Sequence, residues 1–530
     1  MTKLTKLNEW AVLTQHQQAI AKIHLHDLFE QNPTRFQDHT LDAGDLWLDY
    51  SKNHVTQQTV EHLCQLAHRL NLNEKIEQLF CAGMVNFTEK RAALHTALRN
   101  RNQQTFYYNN ENIMPEISAN LNKMHAVSEQ LRQGSYCGYT GKAITDIVNI
   151  GIGGSDLGTS MAYEALRPYA SKKLKLHFLA NIDGYELEDK LAKLSPQTTV
   201  FIIASKSFTT LETLTNATTI KQWLNDPKAI KKQFMAITAK RQKAIDFGID
   251  ANHIFAINDC VGGRFSLWSA MGLPLAIAIG MKNFEDLLDG AYAMDQHFKS
   301  TDFNKNMPVM LALISIWYSN FFNANTHAVL PYTQQLRLLP AFLQQLHMES
   351  NGKQVNAHGE IVEHTTSPVL WGRAGSHGQH AFHQLLHQGK HLIPIDFIVA
   401  INSHSQYKNH HKQLVAHCFS QSEALMLGNN KQATQLATHK QIPGNKPSNT
   451  IIMKKLTPRT LGALIALYEH KVFVQSIIWE INAFDQFGVD LGKSATAKIL
   501  EALEKKQKNN TVCQPTQGLI DYFHRYTHHS

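Results

Sequence analysis

Between residues 146 and 257 the chain alternates short apolar runs with helix-like segments, and few folds accommodate that rhythm. The runs cover 146–152, 176–182, 199–204, 234–238 and 253–257, and helical patterns at 160–166, 211–223 and 240–245 separate most of them. A continuous apolar, β-branched run such as Thr199-Val200-Phe201-Ile202-Ile203-Ala204 reads as a strand buried on both faces. Strands alternating with helices imply α/β architecture with a parallel, doubly wound sheet. Ligands of such sheets bind beyond the carboxyl ends of the strands.

Two polar loops fall at that end. Ser205-Lys206-Ser207-Phe208-Thr209-Thr210 follows the third run and precedes a helical pattern. A strand-to-helix loop offers free backbone N–H groups, and the helix dipole favours an anion. Hydroxyls from Ser205, Ser207 and Thr210 add donors, and Lys206 adds charge that could steer an anion or support the loop. The loop therefore suits a phosphate monoester, although alone it also reads as an ordinary polar turn. Gly151-Ile152-Gly153-Gly154-Ser155-Asp156-Leu157-Gly158 follows the first run. Small residues let backbone N–H groups approach an oxyanion closely. Asp156 occupies the third glycine position of a dinucleotide fingerprint, and no G-K-[ST] follows, so neither nucleotide motif is met. A tight strand-to-helix turn explains the glycines equally well.

The remainder divides around this stretch. Leu7, Trp10, Leu13, His16, Ile20, Ile23 and Leu28 recur at helical spacing before Pro33, and 55–82 carries more of that pattern. Residues 86–91 read as the cap of a helix over 91–99, and the polar stretch 101–112 as a crossing between domains. A second α/β set follows, with candidate strands at 328–332, 395–401 and 450–453 and long helical patterns at 311–322 and 457–479. A charged helix over 495–506 closes the pattern. The expected organisation is a helical N-terminal arm and start of the larger domain (1–110), a first α/β domain (111–280), a second, larger one (281–483) and a C-terminal arm (484–530).

Composition bounds the function. With 530 residues, 43% hydrophobic and 18% charged, the chain can bury large cores and is not of disordered composition. No apolar stretch reads as long enough to span a bilayer, the longest, such as Leu273 to Ile279, being interrupted or short, and the start Met1-Thr2-Lys3-Leu4-Thr5-Lys6 has no apolar signal block. Cys64, Cys81, Cys137, Cys260, Cys418 and Cys513 lie far apart with no CxxC pair, which argues for free thiols in a reducing cytoplasm. The net charge of +8 is dispersed, with one small run at Lys505-Lys506-Gln507-Lys508, and no nucleic-acid module is present. The 30 histidines are scattered without an H-E-x-x-H motif. His383 and His387 have the i, i+4 spacing of a metal pair, but surface or packing roles suit them better; His524, His528 and His529 fall on the tail.

Four further segments carry chemistry. Gly262-Gly263-Arg264-Phe265 puts one arginine beside two flexible positions, where a fixed guanidinium can stabilise a developing oxyanion or pair with a distant carboxylate. Met348-Glu349-Ser350-Asn351-Gly352-Lys353 ends a helical pattern. Glu349 in that last turn faces carbonyls that repel an anion, which suits a general base, or it is simply solvated. Gly375-Ser376-His377-Gly378-Gln379-His380 reads as a helix start with His380 in the first turn, a candidate acid or base or a solvent-facing histidine. Lys493 ends the block that starts at Phe484 and includes Gln486; alone it reads as a surface charge.

These blocks occur in a fixed order, G-I-G-G-S-D-L-G, S-K-S-F-T-T-L-E-T, V-G-G-R-F-S-L-W-S-A-M-G, M-E-S-N-G-K, G-Q-H-A-F and F-D-Q-F-G-V-D-L-G-K, with R-A-A-L-H-T-A-L-R near residue 91. Together they resemble the glucose-6-phosphate (phosphoglucose) isomerase family over nearly the whole chain. The resemblance implies two sugar-isomerase (SIS-type) three-layer αβα domains with terminal helical arms. It implies interconversion of glucose 6-phosphate and fructose 6-phosphate through a cis-enediol, without metal or organic cofactor. It matches Ser205, Ser207 and Thr210, with Lys206 beside them, to phosphate binding, and Gly154 and Ser155 to positions near the sugar. Glu349 matches the proton-shuttling base, Arg264 the enediolate-stabilising cation, His380 and Lys493 the ring-opening pair, and Gln486 a substrate contact. It further implies a cytoplasmic homodimer in which the neighbouring subunit supplies the histidine, with no nucleic-acid or membrane partner. His347, Ser376-His377 and His383 depart from the common pattern at non-catalytic positions. Rival readings are a non-catalytic phosphosugar sensor, an extracellular interaction protein and a nucleotide-dependent enzyme. The first has no need of Glu349, Arg264 and His380 together, and the last lacks its third glycine.

Overall fold

The computed structural model describes residues 3–102, 105–429, 436–505 and 512–527. Residues 1–2 of the polar N-terminus, 506–508 of the basic run, and His528 and His529 lie outside them. Two compact units are present, Met1–Ala483 and Phe484–Ser530.

All five apolar runs of the first α/β stretch become strands: Asp146–Ile150, Lys175–Leu179, Thr199–Ala204, Phe234–Thr238 and Ile254–Ala256. They form one parallel sheet in which Asp146–Ile150 lies between Lys175–Leu179 and Thr199–Ala204, followed by Phe234–Thr238 and Ile254–Ala256. The chain therefore winds one way from its first strand and then back to the other side, and the crevice between its first and third strands is the switch point. Val200, Phe201, Ile202 and Ile203 are wholly buried, as a strand covered on both faces requires.

The second sheet has six strands. Ser448–Lys455, Ile395–Asn402, Thr326–Pro331 and Val369–Gly372 run parallel in that order. An antiparallel hairpin, Thr40–Asp42 with Trp47–Asp49, extends the sheet beyond Ser448–Lys455. No strand was read between the helical patterns at 7–32 and 55–82, yet that interval contributes these two. Val369–Gly372 was also not foreseen; at Gly372 a Cβ would stand 1.9 Å from the Val329 carbonyl oxygen, so the edge strand approaches too closely for any side chain there.

Several helices are shorter than the pattern suggested. The stretch 7–32 is two helices, Asn8–Ile20 and Leu25–Gln31, because the His24 ring accepts from the His26 N–H and starts the second helix anew. Within 91–99 only His95–Leu98 is helical. Asn86 and Arg91 exchange backbone hydrogen bonds instead of capping a helix, and the Arg91 guanidinium reaches the Asp259 carbonyl at 2.8 Å. In the C-terminal unit the expected helix begins earlier, as Phe487–Lys505, and Gln514–Thr527 follows.

Pro458–Ile478 is long and apolar enough by length and composition to cross a bilayer, but 94% of its apolar window is buried inside the protein. Its charged groups are satisfied internally. Arg99 donates from Nε and Nη2 to the two Asp295 oxygens at 2.7 Å each, and Nη1 pairs with Glu469. Its guanidinium lies 4.8 Å from the Trp268 ring, whose Nε1–H donates to Glu469 at 2.9 Å. On the same helix Lys471 Nζ lies 3.4 Å from Asp396, and the Tyr468 hydroxyl donates to that carboxylate at 3.0 Å. Buried charges tolerate the interior only when paired in this way. All six cysteines are free thiols.

Candidate active site

Ile150 and Ile203 are register partners, so the glycine loop and the serine loop leave adjacent strands side by side at the switch point. The serine loop is pinned from below by Phe208, whose ring is buried in the first sheet's core while its backbone adopts φ 49°. A left-handed phenylalanine costs on the order of 1 kcal/mol, which its burial offsets. The pinning turns Ser207 and Thr209 outward, where Thr209 Oγ1 donates to Ser207 Oγ at 2.8 Å. The Ser205 and Thr210 hydroxyls lie 3.1 Å apart at the start of Leu211–Leu224. Lys206 donates to the carbonyls of Asp259 at 2.6 Å and Val261 at 3.0 Å, and burial, then the nearby Arg91 charge, lowers its pKa. It therefore braces the serine loop against the segment that leads to Arg264.

That segment lies directly on the glycine loop. A Cβ on Gly154 would stand 2.2 Å from the Gly263 carbonyl carbon, so the approach requires glycine. Ser266 Oγ adds hydrogen bonds to the carbonyls of Gly263 at 2.6 Å and Gly154 at 3.2 Å. Asn149 holds the loop from the strand side through the Ser155 carbonyl at 3.1 Å. Asp156 is enclosed: its Oδ1 has no partner, and burial raises its pKa to about 6.

Glu349 arrives from the second sheet's side. Leu339–Gln344 is α-helical, and Gln345–Glu349 continues it as one π turn, a widening the spacing of apolar residues does not announce. Lys353 donates to the carbonyls of Glu349 at 3.0 Å, Ser350 at 2.8 Å and Asn482 at 3.0 Å, and Asn351 donates to the Val472 carbonyl at 3.1 Å. A cation thus satisfies carbonyls that the helix end leaves open.

The two sides meet through Arg264. Its Nη1 lies 3.7 Å from Glu349 Oε2, its Nε–H donates to Ser350 Oγ at 2.6 Å, and Nη2 donates to the Ala483 carbonyl. The arginine side chain is 1% exposed and the glutamate 21%, so the guanidinium is fixed while the carboxylate remains reachable from solvent. Gly153 closes the group: at φ 58° its Cβ position is 3.2 Å from Gln345 Nε2 on the Glu349 helix. A preorganised cation beside an accessible carboxylate can move a proton and stabilise the charge left behind. Sequence reasoning assigned no role to Ser350 or Lys353; a lysine just past the helix-stopping Gly352 was the available signal.

Other expected residues are placed differently. His380 does not open a helix: Gly375–Gln379 is a single short helix, and His380 follows its end as an exposed residue. The Phe382 ring packs over Gly378, where a Cβ would stand 2.8 Å from it. Lys493 and Gln486 belong to the C-terminal unit, where Lys493 Nζ lies 3.0 Å from Asp490 and both are exposed. His383 and His387 share one acceptor, Gln421 Oε1, at 2.9 and 3.0 Å, which accounts for their spacing without a metal. His347 is buried within the π turn, and burial pushes its pKa well down.

Mainly parallel sheets between helices, with an anion-suited switch point beside a carboxylate and a guanidinium, define an α/β protein equipped to bind an anion and move a proton. A protein-family model described as "Phosphoglucose isomerase" matches residues 49–520. The chain is 49% identical to a glucose-6-phosphate isomerase of Shewanella halifaxensis over 542 residues, covering 99% of each. A relative of the same name from Shewanella oneidensis is 49% identical, again over 99% of each. Among solved structures, a glucose-6-phosphate isomerase from Chlamydia trachomatis superposes with TM-score 0.88 at 28% identity, covering 99% of this chain and 100% of that one. A hypothetical protein from Thermus thermophilus shares the fold, with TM-score 0.64 at 22% identity over 84% of this chain and 98% of its own. The chain belongs to the phosphoglucose isomerase family.

Proposed function

We propose that the protein is an aldose–ketose isomerase that interconverts D-glucose 6-phosphate and D-fructose 6-phosphate, a step of glycolysis and gluconeogenesis. The contact between Arg264 and the accessible Glu349, 3.7 Å apart, carries this reading, together with family membership. Ser205, Ser207 and Thr210 grip the phosphate on a loop that Lys206 braces, and Gly154 and Ser155 let the sugar approach the backbone. Binding at the remote phosphate positions the reacting carbons. His380 and Lys493 move a proton from the anomeric hydroxyl to the ring oxygen, which opens the ring. Glu349 then takes the proton from C2 of the open aldose, the electron pair passes into a C1–C2 double bond, and the charge on O1 faces Arg264. Return of the proton to C1, as the O2 proton passes to O1 and C2=O2 forms, leaves the ketose. Gln486 contacts the substrate. The reading requires neither cofactor nor metal.

The exposed position of His380 supports a homodimer in which each subunit lends this histidine to the other's site. Such an enzyme acts in the cytoplasm. A division into sugar-isomerase domains near residue 280, with arms at both ends, goes with it. A phosphosugar sensor is the weaker reading, since sensing alone has no use for the Arg264–Glu349 pair. The test is conversion of fructose 6-phosphate in the presence of a chelator, coupled to oxidation of the glucose 6-phosphate formed. Turnover is expected and should disappear in Glu349→Gln while phosphosugar binding persists. A wild-type protein that binds the phosphosugar without turnover would convert the assignment to a sensor.

A further inference from the structure

Both charged groups of the candidate site lean on one short stretch of backbone. Asn482 and Ala483 are the last residues of the Met1–Ala483 unit. The Asn482 carbonyl accepts from Lys353 Nζ at 3.0 Å, and the same ammonium holds the Glu349 and Ser350 carbonyls. The next carbonyl, that of Ala483, accepts from Arg264 Nη2. Two successive peptide groups therefore anchor the end of the Glu349 turn and the guanidinium that lies 3.7 Å from Glu349. The chain arrives here from the end of Pro458–Ile478. Glu480 stands at φ 54°, its N–H donates to the Ile477 carbonyl at 3.1 Å, and the Ile481 N–H donates to the Ser476 carbonyl at 2.9 Å. These bonds close the helix and release the residues that follow from it.

A side chain fixes the stretch beyond the helix. Asn482 is 4% exposed, and its Nδ2 donates to Asn86 Oδ1 at 2.8 Å and to Thr88 Oγ1 at 2.5 Å. Asn86 is itself buried and held: its Nδ2 donates to Glu89 at 2.6 Å, and its backbone exchanges hydrogen bonds with Arg91. Arg91 pairs with Glu89 at 2.6 Å and reaches the Asp259 carbonyl, which Lys206 also holds. An amide nitrogen that serves two acceptors on a braced turn has one orientation. Removing that amide leaves the 482–483 backbone in place but unfastened, and a small misplacement of a reacting group costs a large factor in rate. We propose that Asn482 is a positioning residue for isomerisation. Its amide, clasped by Asn86 and Thr88, aims the two carbonyls that hold Lys353 and Arg264, and so sets the separation of Arg264 from Glu349. The kinetic consequence rests on the isomerase reading; the structural one does not.

In the full-length protein, Asn482→Ala is expected to lower kcat for fructose 6-phosphate about tenfold, with KM within about twofold. Thr88→Val keeps Asn482 and removes one acceptor, and it should lower kcat about threefold at the same KM. Adding Asn482→Ala to Arg264→Ala should slow the enzyme by no more than about twofold further, because the group being aimed is gone. Hydrogen–deuterium exchange reads the positioning without turnover. Asn482→Ala should speed exchange several-fold in 345–353 and 262–267, while 205–210 keeps the wild-type rate. A KM that climbs while kcat holds would place Asn482 in binding, and losses that multiply in the double variant would make its effect independent of Arg264; either overturns the proposal. Unchanged exchange in both stretches overturns it as well. Should Asn482→Ala fail to fold, Thr88→Val carries the same readings. An inactive wild type would sink the isomerase reading, and exchange alone would then decide the role of Asn482.

Discussion

The two sheets of this molecule were assembled by different routes. The first uses one contiguous stretch, all strands parallel, and ends in loops of glycine, serine and threonine suited to holding an anion. The second gathers strands from both ends of the Met1–Ala483 unit and mixes orientations, and the helix on its side carries the carboxylate. On the proposed function, grip and chemistry sit on different scaffolds, joined by Arg264, which leaves the first scaffold and reaches Glu349 on the second. The comparison teaches that substrate affinity and turnover should be separable by mutation.

The sharpest way to break that separation is Glu349→Gln. Loss of a general base typically costs 10²–10⁴ in rate, so kcat should fall by roughly a thousandfold with KM within a few-fold. An equal loss in both would mean that the second scaffold also grips the substrate. Arg264→Ala should lower kcat by about a hundredfold, and Arg264→Lys should restore only part of it, because an ammonium cannot bond Ser350, Ala483 and a developing oxyanion together. An unchanged rate in steady-state assays would remove the arginine from the chemistry.

The third test concerns Asp156 under the glycine loop. Burial raises its pKa to about 6 from an ordinary value of 3.8, so the folded state holds this proton more tightly than the unfolded chain. Its contribution therefore favours folding at low pH and declines as pH rises from about 4 to about 6. Asp156→Asn should remove that decline, a difference on the order of 3 kcal/mol between the two ends of the window. Denaturant titrations of both proteins at several pH values read it directly, and parallel pH profiles would refute it. The smallest effect is expected from Lys206→Met. Losing a strut rather than a ligand should raise KM by several-fold, about 1 kcal/mol, and leave kcat nearly unchanged. A large fall in kcat would place Lys206 in the chemistry instead.

The same contrast explains what could be read in advance. Strands of the first sheet are continuous apolar runs, so burial on both faces wrote them directly into the residue pattern. The hairpin at 40–49 offers only Leu41 and Leu48 as buried apolar side chains in its strands, and its pairing with Thr450–Ile452 is a long-range fact that no local pattern carries. The motif blocks pointed to Ser205, Arg264 and Glu349, because each block is read from a few neighbouring residues, and Arg264 and Glu349 lie 3.7 Å apart. The π turn that delivers Glu349 leaves no mark in the apolar spacing, the Asn482 carbonyl held by Lys353 is 129 positions away, and the end of the helix before His380 lies where one ring sits over one glycine.

The hairpin has one more consequence. Translation delivers it well before the strand it borders, Ser448–Lys455. A nascent chain can complete the first sheet once residue 256 has cleared the ribosome, whereas the hairpin must wait with its edge unmatched. Strands of three residues each offer a stray neighbour little to zip onto during that interval, so brevity itself guards the growing polypeptide against misassociation.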